Sequence, residues 1–146
     1  MQYYTINYDV KRHIAHHADG ELTSPTGMKC LVEIKNYTHT VNTKEITKFK
    51  NDLKTTNNNL GIFISLQNNI CGKKLIDYET YEDNHIIYIS RIMDDINKLD
   101  CGILLLENIY NINKKENIDI KINQIKDTIY HNFEQLEFLI NKNQEI

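Results

Sequence analysis

The 146-residue chain is 40% apolar and 25% charged, the balance of a soluble globular domain with enough apolar surface for one core. Its five Gly, single Pro and lack of any apolar run of ~18 residues exclude collagen-like, low-complexity and membrane-spanning classes. Lys plus Arg total 17 against 20 for Asp plus Glu, a formal charge of −3, so a nucleic-acid partner would have to be held by a local patch or through metal ions.

The first 27 residues are the least regular. Some alternation runs through residues 9–22, and Ser24-Pro25-Thr26-Gly27 is a turn signal, so a hairpin with Asp19 on its first strand is expected. Residues 28–37 alternate as a half-buried strand, with Cys30, Val32 and Ile34 on one side and Leu31, Glu33 and Lys35 on the other. Ile34 is expected to be buried behind Glu33 and Lys35. A helix follows, with Asn42 as its cap, Glu45 reaching back as the partner in a capping box, and Val41 stapled to Ile46. Its apolar stripe is Ile46, Phe49 and Leu53, and the Asn57-Asn58-Asn59 run ends it.

Residues 60–66 are nearly all apolar, the pattern of a parallel strand covered on both faces. Strand, helix and buried strand between residues 28 and 66 read as one right-handed crossover, which sets the class as α/β or α+β with a mixed sheet. The acidic stretch from Asp77 to Asp83 reads as an exposed connection, and residues 86–90 as a further strand. From Ile92 to Ile109 the apolar steps are helical, despite Gly102, and the sequence turns polar from Asn111 to Asn117. Ile122, Ile125, Ile129, Phe133, Leu136 and Ile140 then give a long amphipathic helix over about 119–142, whose stripe is core or a dimer seam. One domain over 1–146, with its core at about 9–110, is expected. Cys30, Cys71 and Cys101 are odd in number and widely spaced, which suits reduced, buried thiols. The N-terminus lacks a basic segment followed by an apolar one, so an intracellular location is expected, with no membrane partner.

Residues two apart on a strand point the same way, so Glu33 and Lys35 put a carboxylate beside an ammonium. If Asp19 lies on the neighbouring strand, a second carboxylate reaches the same edge, and the two acids repel unless a cation or a proton lies between them. Oxygen ligands of this kind suit Mg²⁺ or Mn²⁺, here held by Asp19, Glu33 and the Ile34 carbonyl, with Lys35 orienting a water or stabilising developing charge. The acid-x-Lys triplet recurs at Asp9, Asp52 and Asp119, so context must choose. Asp52 and Lys54 lie in a helix, where residues two apart diverge, and Asp119 begins the last helix.

Asp19, then thirteen residues, then Glu33-Ile34-Lys35, a helix and the strand Gly61-Ile62-Phe63-Ile64-Ser65 resembles the PD-(D/E)xK nuclease superfamily, and residues 31–66 most resemble its Mrr-like restriction endonuclease branch. The resemblance covers roughly residues 9–90, although Ala18 stands where the family usually has Pro. It implies a restriction-endonuclease-like core and Mg²⁺-dependent phosphodiester cleavage, of DNA rather than RNA in most members. Asp19 and Glu33 would then be metal ligands, and Lys35 would act on the attacking water. Some members carry a Gln after the crossover helix, where Gln67 stands, and Asp9 or Glu21 is a candidate auxiliary acid.

His13, His16 and His17 are the other concentration of ligands. Strand spacing separates His16 from His17 and no fourth ligand is evident, so solvated histidines are expected, with His17 a candidate assistant to the centre. Lys44, Lys48, Lys50, Lys54, Lys73 and Lys74 are candidate phosphate contacts. The leading expectation is a DNA endonuclease, with two-fold pairing of the chain suited to a duplex. The alternative is a nuclease-like module that binds nucleic acid or a protein partner without cutting.

Overall fold

Two alternating segments joined by the Ser24-Pro25-Thr26-Gly27 turn set the first half of the sheet. The computed structural model describes residues 9–12, 17–115 and 119–144. Strands β1 (Asp9–Arg12), β2 (Gly20–Thr23) and β3 (Lys29–Lys35) pair antiparallel in succession. Strand β4 (Leu60–Ser65) lies parallel to β3. Strands β5 (Ile76–Tyr81) and β6 (Asn84–Ile89) make a second hairpin that returns β6 parallel to β4. The order across the sheet is β1-β2-β3-β4-β6-β5, the mixed α+β architecture that the sequence pattern predicts.

Helix α1 (Thr43–Thr55) starts where the Asn42 side chain accepts the backbone N–H groups of Lys44 and Glu45, at 3.1 and 3.3 Å. Such a cap is worth about 1 kcal/mol. The helix lies on the sheet face of Leu31, Phe63 and Tyr88, and buries Ile46, Phe49 and Leu53 against it. Val41 and Ile46 share that core, as the staple requires. The opposite face is covered by α2 (Asn97–Lys115) and α3 (Asp119–Gln144), which pack Leu106, Ile109, Ile129 and Phe133 against Ile62 and Ile87. Ile129 and Phe133 are buried and Ile125 and Leu136 pack against the same core, so this part of the α3 stripe is core. Among the described residues no helix is long and apolar enough to cross a membrane.

The structure corrects several expectations. The acidic stretch from Asp77 to Asp83 is no exposed loop; most of it is β5 and the turn into β6. Ile76 and Tyr78 face the core, while Glu79 on the other face is held by Lys50, Lys73 and the Tyr88 hydroxyl. The partners that make these charges compatible with a strand come from remote segments, so the local pattern conceals them. The helix expected from Ile92 is a short 3-10 turn, Ile92–Asp94, followed by α2 from Asn97, because Arg91 takes a left-handed conformation and Asp95 an extended one. Helix α2 also continues through the polar residues to Lys115. Cys71 is exposed rather than buried.

On β3 the two faces are as expected, but burial is reversed at its end. Glu33 is 3% exposed and Ile34 is 44% exposed. Helix α1 covers the Glu33 face, whereas the apolar layer that encloses Cys30 on the other face does not extend over Ile34.

Close approach explains two glycines. A Cβ on Gly102 would lie 2.8 Å from Ile89 Cδ1, so the helical cost of this glycine accompanies intimate packing of α2 on β6. A Cβ on Gly61 would lie 2.9 Å from the Phe49 ring and 3.1 Å from Leu53 Cδ2, beneath α1. Overpacking of this kind costs about 1–3 kcal/mol, and Gly61→Ala is expected to lose that much stability in denaturant unfolding despite the smaller backbone entropy cost of Ala. Unchanged stability would mean that α1 does not press on β4 as described.

Candidate active site

The hydrogen-bond ladder between β2 and β3 stops at the pair Gly20 and Val32. Beyond it the edge of β3 is open, and the Ile34 N–H has no strand partner there. Asp19, the residue before β2, fills the gap: its Oδ2 accepts the Ile34 N–H at 2.7 Å. In return the Asp19 backbone N–H donates to Glu33 Oε2 at 3.2 Å. Ala18, at the position where proline was the family expectation, is fully buried in the α1-side core and anchors the segment.

Asp19, Glu33 and Lys35 are therefore together, as the sequence reading requires. Lys35 Nζ lies 2.5 Å from Glu33 Oε1 and 2.8 Å from Glu45 Oε2. A carboxylate as buried as Glu33 needs such partners, because an unpaired charge in the interior costs several kcal/mol. Burial disfavours the Lys35 ammonium, yet the hydrogen bonds it donates to Glu33 and Glu45 outweigh it and push the lysine pKa up. Lys35 is thus a fixed positive charge. Lys35 likewise holds the Glu45 carboxyl below its ordinary range, with the Tyr37 hydroxyl contributing less.

Glu45 and Asp52 are the two residues at this site that sequence reasoning missed. Asn42 caps α1 as expected, but the Glu45 carboxylate goes to Lys35 instead of closing a capping box. Asp52 is 7% exposed, with Oδ1 4.0 Å from His17 Nδ1 and Oδ2 without a hydrogen-bond partner among the described residues. Burial raises its carboxyl pKa above the ordinary 3.8, although Lys48, His17 and Lys35 oppose this. The signal was legible in principle: Asp52 lies three residues after Phe49 and beside Leu53, inside the apolar stripe of the helix.

Other candidates fare differently. Glu21 turns toward Asn58, which donates to its Oε2 at 3.4 Å. Gln67 donates to Asn36 Oδ1 at 2.9 Å, at the strand end next to Lys35. Asp9 pairs in register with Thr23, and its side chain, like His13 and His16, lies outside the described residues. Lys50 and Lys73 pair with Glu79, and Lys54 pairs with Glu82. Lys44, Lys48 and Lys74 are exposed.

The donor set suits a hard divalent cation. Asp19 and Glu33 offer carboxylate oxygens, and because a strand residue's N–H and C=O point to one side, the Ile34 carbonyl shares the edge at which its N–H meets Asp19. Among the described residues no three His, Cys, Asp or Glu side chains form a ready metal-binding group. A cation here would accordingly keep water or substrate oxygens in its shell, as Mg²⁺ commonly does.

The profile of a family described as restriction endonuclease, Mrr_cat, matches residues 3–69, a span that includes Asp19, Glu33, Lys35, Glu45 and Asp52. No curated protein and no solved structure matches the chain.

A carboxyl whose pKa is raised on folding opposes the folded state once ionised, and that penalty vanishes as pH falls toward 3.8. Asp52→Asn is therefore expected to melt at a higher temperature than wild type at pH 7, with the gain shrinking as pH is lowered toward 3.8. A variant that melts lower at pH 7 would contradict this account of Asp52.

Proposed function

We propose, on the premise that the chain belongs to the restriction-endonuclease-like PD-(D/E)xK superfamily, that it is a metal-dependent nuclease acting on DNA. The observation that carries the reading is the pair of hydrogen bonds by which Asp19 accepts from the Ile34 N–H and donates to Glu33, beside the Glu33–Lys35 ion pair, at the open edge of β3. The family description supports nuclease chemistry, and DNA is the substrate that a restriction endonuclease implies.

In this reading Asp19, Glu33 and the Ile34 carbonyl hold Mg²⁺ or Mn²⁺. A divalent ion held there supplies a water of lowered pKa and offsets charge developing on the scissile phosphate. The chain's own residues do the rest. The Ile34 N–H fixes one Asp19 oxygen, so the orientation of that carboxylate is set before substrate arrives. Burial of Glu33 excludes bulk water from one side of the centre, which strengthens each electrostatic contact within it. Lys35, an ammonium beside Glu33 and Glu45 in the empty centre, is placed to donate a hydrogen bond to the attacking water or to a phosphate oxygen. Exposed Lys44 and Lys48, on the helix that carries Glu45, are suited to flanking phosphates.

Supercoiled plasmid with Mn²⁺ separates this reading from a module that binds without cutting. Wild type is expected to nick it, with Lys35→Ala and Asp19→Asn each slower by about 100-fold or more, the scale of losing one preorganised charge-stabilising group. Equal nicking by all three proteins, or none by wild type, would refute the assignment.

A further inference from the structure

The Lys35 ammonium is shared between two carboxylates on different elements, Glu33 of β3 and Glu45 in the first turn of α1. Both oxygens of Glu33 are engaged: Oε1 meets Lys35 Nζ, and Oε2 accepts the Asp19 N–H. An oxygen of Glu33 given to a divalent cation would bring that cation against the ammonium, and like charges at such separations repel strongly in a partly buried site. Lys35 then has to yield Oε1. Its side chain is only 13% exposed, so withdrawal into solvent is restricted, and an ammonium left there without a counter-charge would be costly. Glu45 is already in contact at 2.8 Å.

We infer that Glu45 is a positioning residue that takes over the Lys35 ammonium when Glu33 is engaged by a divalent cation, so that Lys35 acts as a resident counter-ion of the empty centre and Glu45 as its second berth. The inference rests on the nuclease reading above, because it requires Glu33 to be a metal ligand. It assigns Glu45 no bond to the cation. Lys35 competes with cation binding, and Glu45 relieves the competition.

Calorimetric titration with Mn²⁺, on proteins shown by circular dichroism to be folded, tests the two roles without reference to cleavage. Lys35→Met is expected to bind Mn²⁺ about tenfold more tightly than wild type, because the resident competitor is gone. Glu45→Gln is expected to bind about tenfold more weakly, the scale on which loss of a residue supporting a metal ligand is felt. In the double variant the Glu45→Gln effect should largely disappear, since there is no ammonium left to hold. A Glu45→Gln loss that persists at full size without Lys35 would make Glu45 a ligand and overturn the inference. Glu45→Asp, which keeps the charge but draws it back from Lys35, should fall between wild type and Gln. Should Lys35→Met not fold, equal affinities of wild type, Glu45→Gln and Glu45→Asp would overturn the inference by themselves. If wild type itself binds no Mn²⁺, the nuclease reading fails with it, an outcome distinct from normal wild-type binding with unresponsive Glu45 variants.

Discussion

The place where β2 stops pairing with β3 decides the rest of the site. Had the ladder continued past Gly20 and Val32, the Ile34 N–H would have met a backbone carbonyl, and the edge would have been closed. Because it ends there, the donor left by the ladder is satisfied by the Asp19 side chain, and a backbone hydrogen bond becomes the device that orients an acid. The same segment then returns its own N–H to Glu33. Two acids that would repel in isolation are held in register by hydrogen bonds to one another's neighbourhood, and Lys35 offsets the charge.

That arrangement concentrates charge under a helix whose other work is apolar. Helix α1 brings Ile46, Phe49 and Leu53 to the sheet, and from the same body it presents Glu45 to Lys35 and leaves Asp52 buried without a full set of partners. Close packing at Gly61 fixes the helix against β4, and β4 in turn pairs with β3 beside Glu33 and Lys35. Stability and site geometry are therefore coupled: the core contact that seats α1 also sets how far Glu45 stands from Lys35. The unsatisfied Asp52 carboxylate runs against stability, the kind of cost that proteins concentrate where charge is needed.

Much of this was legible in the sequence because it depends on local period and spacing. The alternation of residues 28–37, the Asn42 cap, the apolar run of residues 60–66 and the turn at residues 24–27 each specify an element without help from elsewhere. The hairpin was legible, but Asp19 stands one residue ahead of its first strand rather than on it, and it meets Glu33 and the Ile34 N–H where the ladder has stopped. What could not be read depended on partners distant in the chain. Strand β5 looked like a loop because Glu79 seemed bare, and Lys50, Lys73 and Tyr88 appear beside it only after folding. Glu45 satisfied a complete local explanation as a capping residue, and that explanation hid its pairing with Lys35. Ile34 was assigned to the core because alternation tells which face a residue takes but not how far the covering layer extends.

The proposed chemistry depends on Asp19, Glu33 and the Ile34 carbonyl bounding a site for a hard divalent cation. Anomalous X-ray diffraction from crystals soaked in Mn²⁺ tests it most directly. The predicted result is a manganese peak within ligand distance of the Asp19 and Glu33 carboxylates, with Lys35 turned toward Glu45. A peak elsewhere, or none at this edge of β3 while Lys35 stays on Glu33, would contradict it.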